Sequence, residues 1–205
     1  MGRKANYIYI ACEGHTEAAY LKEIKKREKK MGVEIKFCCL NGEQNPKKFI
    51  ERAYESYIEE VKSFRETNLL KGKVYQDDRV WCVYDVDNKS VCDILELEQL
   101  AREKKMYTAQ SNPSIELWFL LHFSDVFYYD SYDQDSVETA LKGYWTKYHK
   151  ADETEKTKYL EVIGSRENGA IERSNRLKAA HEEHVSGDTT GPRTGIDDLL
   201  RVLKK

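Results

Sequence analysis

Two aspartates separated by one residue follow an apolar run in the middle of the chain. Asp85 and Asp87 come directly after "VWCVY", residues 80–84. Strand side chains alternate between faces, so both carboxylates point the same way if the strand continues, with Cα atoms roughly 6.5–7 Å apart. Carboxylates this close repel each other and lose hydration when buried, and a divalent cation would relieve both costs. Hard oxygen ligands favour Mg²⁺ or Mn²⁺, so a metal site is one interpretation of this motif.

Two further acids follow other predicted strands. Glu13 ends the first predicted strand, and Glu116 lies one turn into the apolar helix after the fourth. In open parallel α/β sheets, functional sites lie at the carboxyl ends of the strands. We therefore expect Glu13 to converge with Asp85 and Asp87 at one sheet edge, and Glu116 to arrive from the fourth strand. An acid on so apolar a helix also requires a partner or a metal.

The same acids also have ordinary structural uses. A DxD at a strand end is typical of a turn, since Asp caps helices and tolerates loops. Glu13, which precedes Gly14, suits a surface loop, and Glu116 could interact with a helix N-terminus. The case for a metal site depends on all these acids lying at the carboxyl ends of strands in one sheet. Both interpretations stay open on these residues alone.

Hydrophobic patterns indicate the elements that must position these acids. Four β-rich runs alternate with helical patterns, at residues 6–12, 32–40, 79–84 and 106–110. This alternation predicts an α/β fold with a mostly parallel sheet of about four strands flanked by helices. After about residue 125 only helical patterns remain. We therefore predict an α/β core over residues 1–125 and an all-helical C-terminal extension over residues 126–205, packed on the core.

Composition limits the classes of function. The chain has 205 residues and a formal net charge of -2, which excludes a globally basic nucleic-acid coat but allows a local basic face. Apolar runs are too short to span a membrane. The N-terminal residues lack a signal-peptide core, so we expect a cytoplasmic location and no membrane partner. Five cysteines without a CxxC motif argue against a zinc site or a disulfide framework.

Four segments carry a resemblance to known proteins. "ACEGHTEAAYL" and "WCVYDVD" resemble the two signature motifs of the TOPRIM domain, in which a glutamate ends strand 1 and a DxD ends strand 3. Together with "SNPSIELWFLLHF" and "GPRTGIDDLL", they resemble the RloB-like family, which is TOPRIM-related and encoded beside bacterial restriction-modification and phage-defence genes. The resemblance spans most of the chain, and the SNPxxE segment is its most specific part. It implies a TOPRIM-like sheet.

The resemblance implies roles for individual residues. Asp85 and Asp87 match the DxD metal ligands, and Glu13 matches the TOPRIM glutamate, a metal ligand or general acid/base. Asn88-Lys89 follow the DxD where many TOPRIM domains carry a further acid, so Glu116 is the candidate for a third catalytic acid. Four more positions would support the site: Glu17, Asn112, Ser114 and His122, the last of which we expect to be structural.

The implied function is metal-dependent phosphodiester hydrolysis in an anti-phage or restriction-linked defence system. Mg²⁺ (or Mn²⁺) would be the cofactor, and a partner ATPase would control the nuclease. The substrate would be nucleic acid, either RNA (tRNA is conceivable) or DNA. The cysteine spacing offers no primase zinc domain, and the length leaves no room for a topoisomerase tyrosine domain. The residues we expect to bind phosphate are Lys89, Arg173 and Arg176.

Two other classes of function remain open. A non-catalytic adaptor would keep the TOPRIM fold and bind an ATPase through the helical extension. A DxD enzyme that handles nucleotide sugars or phosphate esters would also use Asp85 and Asp87. Such an enzyme would not need Glu13 at the end of the first strand, so the position of Glu13 separates it from a nuclease.

Overall fold

A computed structural model describes the chain in several stretches: residues 5–27, 33–40, 45–69, 75–86, 89–127, 132–146, 148, 163–184 and 191–204. Asp87 and Asn88 lie outside the described residues. The prediction that Asp87 is a metal-binding and catalytic residue therefore remains a prediction. Every other candidate site residue lies within the described stretches.

Five strands form one sheet in the order β2-β1-β3-β4-β5. Their bounds are β1 Ala5–Cys12, β2 Val33–Cys39, β3 Tyr75–Asp85, β4 Tyr107–Asn112 and β5 Arg193–Thr194. β1 pairs in parallel with β2 and β3, β3 pairs in parallel with β4, and β5 runs antiparallel to β4. The mostly parallel α/β sheet expected from the sequence is confirmed. The two-residue strand β5 adds an edge that the hydrophobic pattern did not indicate.

Helices cover both faces of this sheet, as the apolar β3 sequence predicts. Their bounds are α1 His15–Arg27, α2 Pro46–Leu69, α3 Val91–Glu103, α4 Ile115–Leu120, α5 Gln134–Tyr144, α6 Glu167–His184 and α7 Ile196–Lys204. Alternate β1 residues enter different cores. Ile8 and Ile10 pack with α1 and with helices α4 to α7, whereas Tyr7 and Tyr9 pack with α2 and α3. β3 divides its apolar side chains in the same way, because both of its faces are buried.

Local capping explains where helices α2 and α3 begin. The Asn45 side chain accepts a hydrogen bond from the Lys48 backbone N–H at 2.9 Å, directly before Pro46. Ser90 and Asp93 form a reciprocal capping box at the start of α3. Such caps satisfy backbone donors that have no partner within the helix. α3 therefore starts soon after β3 ends, on its own capping residues.

The helices after residue 125 share a core with the earlier ones. Leu141 of α5, Leu177 of α6 and Leu200 of α7 belong to the same buried cluster as Leu117 of α4. This cluster lies on one face of the sheet and continues across the division expected at residue 125, which stays a prediction. None of the helices in the described stretches is both long and apolar enough to cross a membrane.

Candidate metal centre at the carboxyl edge of the sheet

Glu13 and Asp85 meet at the carboxyl ends of two neighbouring strands. The backbone N–H of Glu13 donates to the Val83 carbonyl at 2.9 Å, which extends the β1–β3 pairing beyond Cys12. Asp85 is the last residue of β3. Its backbone N–H donates to Oε2 of Glu13 at 3.3 Å. Two of the four predicted acids therefore lie together, because parallel strands of adjacent position end at the same edge.

The Asp85 carboxylate also fixes the start of α4. Its Oδ1 accepts a hydrogen bond from the Ile115 backbone N–H at 2.9 Å. Ser114 occupies the N-cap position of α4, but its side chain makes no capping hydrogen bond. Asp85, at the end of β3, caps the Ile115 N–H instead. Asp85 is only 6% exposed. A capping aspartate is thus part of the explanation of the DxD motif, although the helix it caps is α4 and not α3.

Lys89 supplies a cation to this pair of acids. Its ammonium lies 2.9 Å from Oε1 and 3.1 Å from Oε2 of Glu13, and 2.6 Å from the Asp85 carbonyl oxygen. The Lys89 backbone N–H donates to the Val86 carbonyl at 2.8 Å, which keeps the residue close to the end of β3. Lys89 was expected to bind phosphate. In this structure its charge faces Glu13, and phosphate binding stays a prediction.

Glu116 is completely buried and its carboxylate is held on both sides. Ser114 Oγ donates to Oε2 at 2.6 Å, and the Tyr148 hydroxyl donates to Oε1. Burial raises the pKa of Tyr148, so its hydroxyl keeps its proton and remains a donor. Glu116 is linked in sequence to Ile115, whose N–H binds Asp85. The expected polar partner of Glu116 is thus present, and its catalytic role stays a prediction.

Asn112 joins the site edge to a segment near the end of the chain. Its side-chain amide donates to the Gly191 carbonyl at 2.7 Å. Next to it, the hydroxyls of Ser111 and Thr194 lie 3.0 Å apart, and the Ser111 carbonyl accepts the Val86 N–H at 2.8 Å. The peptide bond from Asn112 to Pro113 is cis. Asn112 therefore ties the end of β4 to the segment packed against it, and its supporting role at the site stays a prediction.

Comparison with protein families identifies the class of protein to which these residues belong. The model of the family described as RloB-like protein matches residues 8–203, which include most of β1 and all of β3, α4 and β5. The chain belongs to the RloB-like protein family. No curated protein matches it. The resemblance inferred from the four sequence segments is confirmed for the family, while the family description leaves the chemistry of the site to be argued from its residues.

Glu17 lies beneath the Glu13 loop of this RloB-like protein. It belongs to the first turn of α1 and is 4% exposed. Its carboxylate folds back toward Gly14, where a Cβ atom would lie 2.7 Å from Oε2. Burial, and then the charges of Glu17 and nearby cysteines, raise the pKa of the Cys12 thiol. Glu17 therefore lies close to residues 12–14, and its supporting role at the site stays a prediction.

His122 lies in the buried core that follows α4. Its Nδ1 donates to the Trp118 carbonyl at 2.9 Å, and its ring meets Trp118 edge to face, with centroids 4.9 Å apart. Burial lowers the pKa of His122 to about 3. The imidazole is therefore neutral near pH 7, and the structural role expected for it stays a prediction.

Arg173 and Arg176 lie one turn apart on α6 and contact the segment after α4. Arg173 donates to the Leu121 carbonyl at 2.9 Å, and its Nε lies 3.8 Å from Asp125. Arg176 donates to the same Asp125 carboxylate. They share a helix face, as their spacing predicts, and both have protein partners. Their role in nucleic-acid binding stays a prediction.

Two features of the site went beyond sequence reasoning. The first is the hydrogen bond from Tyr148 to Glu116, which are 32 residues apart in sequence. The second is the ion pair between Lys89 and Glu13, since Lys89 was expected only to bind phosphate. A buried glutamate on an apolar helix does signal a missing donor, but helical periodicity cannot say which tyrosine supplies it. In the part of the chain that the structure describes, no group of three or more His, Cys, Asp or Glu residues has metal-site geometry. Among the predicted metal ligands, Glu13 and Asp85 are the two that lie within the described residues, and they contact each other.

Proposed function

We propose that this RloB-like protein is a divalent-metal-dependent nuclease that hydrolyses phosphodiester bonds in an anti-phage or restriction-linked defence system. The observation that carries the proposal is the contact between Glu13 and Asp85 at the carboxyl ends of neighbouring strands. A DxD enzyme for nucleotide sugars would not need Glu13 there. The segments that contain Glu13 and Asp85 both resemble TOPRIM motifs, which also favours a nuclease over a nucleotide-sugar enzyme.

The residues at this edge fit a hard divalent cation. The side chains of Glu13 and Asp85 and the carbonyl of Asp85 are all oxygen donors, which Mg²⁺ and Mn²⁺ prefer. The protein also stabilises positive charge at this position, because the Lys89 ammonium binds Glu13 and the Asp85 carbonyl. Glu13, Asp85 and, beyond the described residues, Asp87 would hold the ion. A bound ion would polarise the scissile phosphate and lower the pKa of an attacking water.

The protein groups at the site contribute orientation and charge. The Asp85 N–H fixes Oε2 of Glu13, and the Ile115 N–H fixes Oδ1 of Asp85, so both carboxylates are held by backbone donors. Groups held in this way need little rearrangement during a reaction. Glu13 is the candidate to accept a proton from the attacking water. Glu116 follows Ile115, whose N–H binds Asp85, so it would help to position Asp85 through the first turn of α4.

Nucleic acid is the proposed substrate, either RNA (including tRNA) or DNA. Arg173, Arg176 and Lys89 are the proposed phosphate-binding residues. Each now contacts protein acceptors, so a phosphate would have to compete with a carboxylate or carbonyl at each position. Control by a partner ATPase forms part of the proposal and is supported only by the gene neighbourhood that the family resemblance implies.

A cleavage assay tests this function. Labelled tRNA, single-stranded RNA, and single-stranded and duplex DNA are incubated with the protein and Mg²⁺, Mn²⁺ or EDTA, alone and with the ATPase encoded nearby. We expect metal-dependent cleavage of one class, reduced at least about 100-fold by Asp85→Asn and by Glu13→Gln, because each removes a charge that holds the metal. Asn at position 85 can still accept the Ile115 N–H, so the fold should persist.

Asp135→Asn is the matched control for this assay. It makes the same chemical change at an exposed position on α5, where a lost carboxylate should not matter. Cleavage by wild type that survives EDTA, or that is unchanged in Asp85→Asn and Glu13→Gln, would rule out the proposed mechanism. Absence of cleavage with every substrate, metal and partner would rule out the nuclease.

A non-catalytic adaptor is the second candidate, and one observation favours it. Lys89 neutralises Glu13 and Asp85 caps α4, so both acids already have uses within the protein. In an adaptor these contacts would be purely structural, and millimolar Mg²⁺ would leave the melting temperature unchanged. At a metal centre the melting temperature would instead rise with the logarithm of the Mg²⁺ concentration above its Kd, because the ion binds only the folded state.

A further inference from the structure

The Lys89 ammonium is surrounded by as many acceptors as it has donors. A lysine ammonium offers three N–H donors. The three acceptors are the two carboxylate oxygens of Glu13 and the carbonyl oxygen of Asp85, at 2.9, 3.1 and 2.6 Å. Only 11% of the Lys89 side chain and 16% of the Glu13 side chain are exposed. A pair this shielded is screened by salt less than a surface pair.

Two of these acceptors are the Glu13 carboxylate oxygens, to which a divalent ion at Glu13 would bind. Both oxygens of the Glu13 carboxylate face Lys89, and an ammonium and a divalent cation on one carboxylate repel each other. We propose that Lys89 is an intramolecular competitor of the divalent metal, which must displace its ammonium from Glu13 in order to bind. The inference rests on the proposed function, since it takes Glu13 as a metal ligand.

Displacement has a consequence for phosphate binding. Once released from Glu13, the ammonium remains tethered beside the ion by the Lys89 backbone, which is bonded to Val86 at the end of β3. A phosphate group bound at the same site would then offer the ammonium a new anionic partner. Metal and nucleic acid should therefore bind more tightly together than separately. The metal releases the Lys89 ammonium for a phosphate, and the phosphate in turn stabilises the released ammonium.

Metal binding by a charge-removed variant tests the competition. Mn²⁺ affinity is measured by calorimetry and by the electron paramagnetic resonance signal of free Mn²⁺, for wild type and for Lys89→Met, which keeps much of the side-chain volume. We expect Lys89→Met to bind Mn²⁺ at least about tenfold more tightly. A tenfold change corresponds to the lower end of the energies found for hydrogen bonds between charged groups. Lys142→Met is the control. It breaks a lysine–carboxylate pair of the same 2.9 Å length on the surface of α5 and should leave the affinity unchanged.

The outcomes separate this inference from the nuclease proposal. Equal or weaker Mn²⁺ binding by folded Lys89→Met, including no binding at all, overturns the competition whether or not wild type cleaves nucleic acid. Tighter binding by Lys89→Met supports it even if no substrate is cut. A nuclease that cuts with metal, but whose Mn²⁺ affinity does not respond to Lys89→Met, keeps its function and loses this inference.

A measurement on wild type covers the case in which Lys89→Met does not fold. Lysines are acetylated with a limiting reagent, with and without saturating Mg²⁺, and the modified positions are quantified by mass spectrometry. We expect Lys89 to be protected without metal and to react at least about fivefold faster with it. A fivefold change corresponds to the loss of one hydrogen bond of about 1 kcal/mol. Lys142 should react equally in both conditions. Unchanged Lys89 reactivity at saturating metal overturns displacement, even if the variant shows tighter binding.

Discussion

At the end of β3, Asp85 binds the backbone of α4 with its carboxylate and the carboxylate of Glu13 with its N–H. The convergence of these two acids could be predicted from sequence, because each directly follows an apolar strand. The cap could not, because it depends on where a helix from another part of the chain begins. Lys89 shows the same limit. Its nearness to the DxD is evident from sequence, whereas its contact with Glu13 depends on loop geometry.

Burial of His122 makes the stability of the folded protein depend on pH in a defined direction. Its pKa is about 3 in the folded protein and about 6.5 in an unfolded chain. The unfolded state therefore binds more protons between these values. The stability that neutral His122 contributes is present above about pH 6.5 and is lost as the pH falls toward 3, by up to about 1.4 kcal/mol per pH unit.

Replacement of the histidine isolates this contribution. His122→Leu should make the free energy of unfolding fall less steeply between pH 6.5 and 4.5 than in wild type, whatever its effect at pH 7.5. Urea unfolding at several pH values measures both slopes. Identical slopes in the two proteins would mean that His122 is not the buried neutral group described here.

Among the elements, α4 is held from outside itself at its first turn. Asp85 caps it from β3, and Tyr148 binds Glu116 from beyond α5. The apolar sequence of this helix made its burial predictable. Its six-residue length, and the use of a distant tyrosine to satisfy its one acid, reflect tertiary contacts that local propensity does not encode.

Tyr148→Phe tests this attachment of α4. The substitution keeps the ring but removes the hydroxyl, which leaves a carboxylate oxygen of fully buried Glu116 without that donor. We expect the free energy of unfolding to fall by about 1–3 kcal/mol, the usual cost of removing a hydrogen-bond donor from a buried charged group. Tyr144→Phe, at a position 55% exposed, should change it by less than about 0.5 kcal/mol. Chemical denaturation compares them, and equal effects would contradict the proposed contact.

For the molecule as a whole, the sheet is completed by a segment far along the chain. Gly195 donates its N–H to the Gln110 carbonyl at 2.8 Å, and a Cβ at this position would lie 3.1 Å from Ala109 Cα. The α/β class and the parallel strands follow from alternating patterns. β5 did not, because two residues are too few for a periodicity and Gly-Pro-rich sequence resembles a loop.

Gly195→Ala should therefore weaken the whole fold. The added methyl group meets β4 backbone, which yields poorly, so we expect a loss of about 1–2 kcal/mol in the free energy of unfolding. Gly143→Ala is the matched control, since a Cβ there meets nothing within 4 Å. In its helix, alanine should be neutral or stabilise by up to about 1 kcal/mol. A Gly195→Ala protein as stable as Gly143→Ala would show that the approach to β4 is not tight.

The pairing of β4 with β5 also sets an order of events during synthesis. Ser111 and Thr194 contact each other across 83 residues. At ribosomal rates of about 5–20 residues per second, β4 waits roughly 4–17 s before its edge partner has been made. During that interval Ser111 and Asn112 lack the partner strand with which they pair in the folded protein, and unpaired strand edges can pair with other chains. Translation speed between these two segments, and chaperones that cover exposed strands, should therefore influence how much of this protein reaches the folded state.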